Sequence, residues 1–158
     1  MKRNTIPLKN YLKVYEEIEA NTTITPGMLI ELHTDGKVRP HDDSDDNVLP
    51  MFAVEDELQG KSIDDNYSDG DIVQCWIPQR GEVVNALLQD GEEISKGNFL
   101  VSNGNGRLKA EDPFDSTGAL LPLAHHPLVG VALEDLDLTT STGAWDDNRP
   151  RRIPVRIL

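Results

Sequence analysis

Reactive side chains have to be clustered to do chemistry, and the densest cluster in this 158-residue chain is His41-Asp42-Asp43-Ser44-Asp45-Asp46. Hard divalent cations take several carboxylate oxygens at short range, so a cation site is the chemistry to test there. The run lacks the internal glycine and the distal glutamate of an EF-hand loop, and it reads as a solvated acidic loop. His125-His126 is a second candidate. Adjacent residues of an extended chain point to opposite faces, so the two imidazoles do not converge on one ion. The acid pairs Asp64-Asp65 and Asp146-Asp147 lack the contrast of environment that separates a general acid from a general base. No G-x-S-x-G, H-E-x-x-H or P-loop pattern occurs. The single cysteine, Cys75, rules out an intrachain disulfide framework. It lies in the strand-like DIVQCWI with no neighbouring base or cation to activate it, so a buried, inert thiol is expected. The chain is therefore expected not to be an enzyme, and to use neither cofactor nor metal.

Charge narrows the partners. The formal net charge is −13, which disfavours nucleic acid. Arg149-Pro150-Arg151-Arg152, with Arg156, is a local positive patch suited to internal ion pairs or to an acidic partner. No run approaches the roughly 20 apolar residues of a spanning helix, so no membrane partner is expected. The opening MKRNTIPLKNYLK is basic but no apolar stretch follows, so it does not read as a secretory signal.

The elements that must position these residues read as short strands. Glycines at 81, 91, 97, 104 and 106 punctuate apolar runs from Pro78 to Lys109, which is the pattern of a small, tightly turned antiparallel β-barrel. Met28–Leu32 and Lys37–Arg39 flank an Asp35-Gly36 hairpin signal. Met51–Val54, Ile72–Ile77, Glu82–Leu88, Phe99–Ser102, Arg107–Ala110, Leu128–Leu133 and Ile153–Leu158 are further strands, and Asn103-Gly104-Asn105-Gly106 is a hairpin tip. Leu58–Tyr67 fits neither helix nor core strand, and Asp112–Pro127 is a long loop. Pro50–Asp56 and Pro127–Asp135 echo one another, each a proline, an apolar run and then acids.

Residues 1–25 differ from the rest. Lys2, Arg3, Lys9 and Lys13 precede any acid, and Asn10 could cap a short helix to Ala20 with Tyr11, Val14, Tyr15 and Ile18 on one face. The expectation is a mainly β fold with long loops, divided into an extended N-terminal arm (1–25) and a β-barrel domain (26–158). Ordering an arm costs entropy, which surface buried on a partner offsets. The arm's candidate partner contacts are Lys2, Arg3, Ile6, Leu8, Lys9, Tyr11, Lys13, Val14, Tyr15 and Ile18.

Three segments carry a resemblance. Arg3–Tyr11, Ile24–Leu32, and above all Val54-Glu55-Asp56-Glu57-Leu58-Gln59-Gly60-Lys61-Ser62-Ile63-Asp64-Asp65-Asn66-Tyr67, followed by Gly70-Asp71 and Val84–Leu88, resemble the head decoration (cement) proteins of tailed bacteriophages. The resemblance spans about residues 1–135. It implies a non-enzymatic protein on the outer surface of the virion, assembled in the host cytoplasm. It further implies that many copies, as dimers or trimers, bind the expanded shell and bridge neighbouring major capsid subunits.

Two other readings start from other residues. An exposed Trp76 or Trp145 would suit a virion-displayed module that binds carbohydrate or a host surface. The glycine-punctuated segment also resembles a biotinyl/lipoyl-type barrel-sandwich carrier, but its tip, Asn103–Gly106, lacks the acceptor lysine, and Lys109 lies beyond it.

Overall fold

The structure is a computed structural model, and it describes residues 3–11, 15–44, 46, 48–111, 127–140 and 151–158. Among these the chain forms β1 (Pro7–Lys9), β2 (Tyr15–Glu19), β3 (Ile30–Leu32), β4 (Val38–Pro40), β5 (Phe52–Val54), a 3₁₀ turn (Glu57–Gln59) and β6 (Ile72–Trp76). There follow β7 (Val83–Leu87), β8 (Glu93–Ile94), β9 (Phe99–Ser102), β10 (Leu108–Ala110), β11 (Leu128–Ala132), β12 (Leu136–Asp137) and β13 (Arg152–Ile157). The largest sheet has six strands in the order β1-β7-β13-β11-β9-β10, and a three-stranded sheet runs β2-β6-β5. β3–β4 and β12–β8 are separate pairs. All these pairings are antiparallel.

The expected β-rich, antiparallel character is therefore present. No closed barrel is detected among the described residues. β1 and β10 are the edges of the large sheet, and a parallel bridge between Leu88 and Leu108 joins the chain just after β7 to β10. The echoing segments take unlike places: β5 is an edge strand and β11 lies inside the large sheet. The long loop expected after Glu111 lies outside the described residues over 112–126, as does the stretch 141–150.

Two apolar clusters fill the interior. One gathers Ile6, Trp76, Val84, Leu100, Val129 and Val155 with their neighbours. The other gathers Ile24, Ile30, Val38, Tyr67, Val73 and Cys75. β7 is buried along its whole length, because both its faces are covered. The chain at Gly27 crosses it so closely that a Cβ there would lie 3.0 Å from the Asn85 carbonyl oxygen. With φ at +93°, only glycine suits that position.

The N-terminal segment departs from expectation in two ways. The helix foreseen from Asn10 to Ala20 is absent from its described part. Tyr15–Glu19 is instead a strand paired residue for residue with β6, from Tyr15↔Trp76 to Glu19↔Ile72. A short helix is marginal without a packed face, whereas β6 offers a ladder and an aromatic cross-strand partner. Tyr15 and Trp76 stack with ring centroids 6.4 Å apart. Secondly, the described part of residues 1–25 is built into the body. β1 pairs with β7, and Ile6, Ala20 and Ile24 are fully buried. Among the described residues, no helix is long and apolar enough to cross a membrane.

Candidate functional site

The N-terminal segment is fastened by carboxylates that face its backbone. The Ile6 amide donates to both oxygens of Glu55, at 3.2 and 3.0 Å. Its carbonyl accepts from the Asn85 amide at 2.8 Å, and the Asn85 side chain donates to the Thr5 carbonyl at 3.2 Å. Further along, the Tyr11 amide donates to Glu82, whose other oxygen takes the Gln79 amide at 2.6 Å. Glu55 and Glu82 are both buried. A buried carboxylate persists only when hydrogen bonds replace its water, and here backbone N–H groups supply them. Arg3 pairs with Glu134.

These ties scatter the expected contact residues over unlike environments. Ile6 is fully buried in the core, so in this fold it is a packing residue and is not available on the surface, because its flanking backbone is held by Glu55 and Asn85. Leu8 is half-buried within β1, and Arg3 is half-buried against Glu134. Tyr15 stacks on Trp76, and Ile18 packs against the second cluster. Lys9 and Tyr11 stand exposed together, with the Lys9 ammonium 5.3 Å from the centre of the Tyr11 ring. Lys2, Lys13 and Val14 lie outside the described residues.

Between this segment and the turn that follows β5 lies a cleft of about 480 Å³. Pro7, Tyr15, Val54 and Leu58 give it apolar walls, and Glu55, Asp56 and Glu57 give it carboxylates. No lysine or arginine is among the described residues that line it. Asp56 is only 4% exposed, yet it makes no side-chain cap to the 3₁₀ turn. Leu58, by contrast, is 96% exposed at the rim. Burial, and then the charge of Glu55, push the pKa of the Tyr15 hydroxyl up, with Glu82 and Glu57 adding to the effect. The hydroxyl thus sits in a negative field within an apolar wall.

The other candidates from the sequence resolve into structural roles. His41 is turned inward, with Nδ1 2.8 Å from the Ser102 hydroxyl, tying the end of the β3–β4 hairpin to β9. Asp42 pairs with Arg39 at 2.7 Å. No group of His, Cys, Asp or Glu suited to hold a metal forms among the described residues, and Asp45, His125, His126, Asp146 and Asp147 are not among them. Cys75 is fully buried, and burial pushes its thiol up to about 12, as expected of an inert group. Arg151 and Arg152 turn inward, to Asp90 and Asp64, so this half of the positive patch makes internal ion pairs. Trp76 is fully buried, which removes it from any carbohydrate surface, and Trp145 lies outside the described residues. Lys109 sits within β10 opposite Val101 and is not at the hairpin tip.

No protein-family model matches the chain. No curated protein matches it either. The cleft itself was not foreseen from sequence. Glu55 and Asp56 read only as acids that follow an apolar run, with nothing local to mark that both would be folded inward.

Proposed function

We propose that the chain is a structural virion protein that binds the outer surface of the expanded bacteriophage capsid and stabilises it by bridging neighbouring major capsid subunits, working as a homodimer or homotrimer. One observation carries the reading. The opening segment, Arg3–Tyr11, and the run Val54–Tyr67 both bear the resemblance to decoration proteins, and they meet through the Ile6–Glu55 hydrogen bond across 49 residues of sequence. Where they meet, they flank a cleft with Leu58 exposed at its rim and Tyr11 exposed nearby. Exposed aromatic and aliphatic residues beside a polar cleft suit a surface that docks on protein.

The physical task is modest for each copy. A clamp that binds only the expanded lattice stabilises it by its differential affinity for the two states. An interface of roughly 1,600 Å² suffices for tight binding, and contact with two subunits at once raises the avidity. The net charge of −13 keeps decorated particles apart in solution.

Cosedimentation with purified capsids tests the proposal. The protein is expected to pellet with expanded shells at a saturating ratio and to stay in the supernatant with unexpanded ones. Failure to associate with either shell, or equal association with both, overturns the proposal.

A further inference from the structure

The six-stranded sheet turns one face to the core, where Leu100, Val155 and Ile157 lie. Residues one step along each strand point the other way. Cross-strand pairing sets Lys9, Val83, Arg156, Val131 and Phe99 in one row across that outward face. Beside it, Lys109, Val101 and Leu128 form a second row. Phe99 is 49% exposed and Leu128 45%, so the face keeps apolar surface in water. Its charge is the reverse of the chain's net −13. Elsewhere the cations meet carboxylates, as Arg39 meets Glu31 and Asp42, and Arg107 meets Asp90. Arg151 and Arg152 are likewise turned inward, whereas Arg156 of the same basic run stands exposed. Among the described residues, no acid pairs with Arg156, Lys109 or Lys9. Glu111 follows β10 beside Phe99, but one of its carboxylate oxygens is buried.

We infer that this outward face docks an acidic surface of another protein, whose carboxylates meet Arg156, Lys109 and Lys9 and whose apolar centre covers Phe99, Val131 and Leu128. Charge complementarity selects the occupant. A second copy related by a twofold axis would set Arg156 against Arg156, and nucleic acid is repelled by the rest of the molecule. Aromatic residues and arginine are also the types enriched where proteins dock. At about 0.1 M salt the reach of a charge is roughly 10 Å, so these local cations outweigh the distant acids. The inference deepens the partner-binding reading and, for the identity of the partner as a capsid subunit, rests on it.

Two measurements separate the claims. In the first, a capped five-residue peptide alternating glutamate with leucine is titrated into the purified protein and followed by amide NMR shifts. Shifts at Phe99, Val131 and Arg156 are expected to saturate with a Kd of about 1 mM, which suits so small a ligand. Arg156→Glu should weaken binding roughly tenfold and Phe99→Ser roughly fivefold. Both residues are exposed, so the variants keep the fold. The same peptide with glutamine for glutamate should leave the shifts unmoved, and Lys61→Glu, an equal change of charge in the loop after the 3₁₀ turn, should bind as the parent does. Equal shifts from the glutamine peptide, no saturating shift on this face, or unchanged binding by both face variants overturns the inference.

In the second, Arg156→Glu and Phe99→Ser are cosedimented with expanded capsids and their mass in solution is measured by sedimentation velocity. Reduced capsid binding at unchanged mass supports docking of the shell on this face. Full capsid binding by both variants overturns the face's role there while leaving capsid decoration standing. A fall in mass makes the face a contact between copies and overturns the acidic partner. Peptide binding by a protein that never associates with a shell overturns the capsid reading and keeps the face.

Discussion

The first and last strands of the described chain lie in the same sheet but are held by different means. β13 is an interior strand of six residues, laddered to β7 on one side and to β11 on the other. Its first residue, Arg152, is buried and donates to the carbonyls of Pro26 and Ile63, at 3.2 and 2.6 Å, and to Asp64 at 3.0 Å. β1 is an edge strand of three residues with a register shift, and carboxylates grip the backbone around it. An interior strand cannot leave without opening the sheet on both sides. An edge strand can lift while the remainder stays folded. The C-terminal strand therefore belongs to the stability of the fold, and the N-terminal strand to a locally adjustable margin beside the cleft.

The largest effect should come from wedging β13 away from β11. Gly130 opposes Ile157 in that ladder, and a Cβ there would lie 2.5 Å from a Val155 methyl and 2.6 Å from the Arg156 carbonyl oxygen. The carbonyl belongs to the ladder and cannot move aside. Gly130→Val should cost about 3 kcal/mol or more and leave little folded protein. An unchanged urea midpoint would show that β13 is not the fixed member of the comparison.

Next comes the clamp. Arg152→Ala leaves Asp64 and the carbonyls of Pro26 and Ile63 without their donor, and should cost about 3 kcal/mol. Arg152→Lys should recover less than half of this, because one ammonium cannot reproduce the fork. Full rescue by lysine in chemical denaturation would reduce the clamp to a simple charge contact.

Alkali should act on the smaller cluster first. Tyr67 donates to the Val54 carbonyl at 2.6 Å, and burial pushes its hydroxyl from 10.0 up to about 12. Burial likewise pushes Cys75 from 9.0 up to about 12. Both groups fold in their neutral forms, and the unfolded chain releases their protons at lower pH. Their contribution is complete below about pH 9 and is lost as pH rises from there through about 12. Melting temperature should stay flat to about pH 9 and then fall, with Tyr67→Phe falling less steeply. Because β2 is paired to β6, which holds Cys75, amides of β2 should lose protection before those of β13. A simultaneous loss would merge the two regions into one cooperative unit.

Much of the frame was legible in local sequence. Asp35-Gly36 turns the β3–β4 hairpin with Gly36 at φ +83°, and Gly104 and Gly106 take the positive φ that their hairpin tip implies. Phe99–Ser102 and the strand at Ile72 fall where alternation and β-branched residues place them. Legibility ended where partners are distant. Tyr11, Val14, Tyr15 and Ile18 have helical spacing, yet β6, more than 50 residues later in the chain, decides the strand. Arg152 meets Ile63 across 89 residues, and Ile6 meets Glu55 across 49, so neither burial could be seen in a local window. Of the candidate site, the segment itself was named, but the cleft was not, because it exists only once Glu55 and Asp56 are folded against Pro7.

The smallest effect, and the most discriminating, belongs to Glu55→Gln. Glutamine keeps one acceptor oxygen for the Ile6 amide but removes the charge that strengthens the bond. The loss should be about 1 kcal/mol. It should also be local, because the Ile6 carbonyl still holds the Asn85 amide and β13 still fills the sheet. Hydrogen exchange reads this directly. The Ile6 and Tyr11 amides should exchange faster in the variant, while Val155 and Ile157 keep the parental rate. If all four accelerate together, the edge strand opens only with the whole molecule. The contrast between a fixed C-terminal strand and a releasable N-terminal one would then have no physical basis.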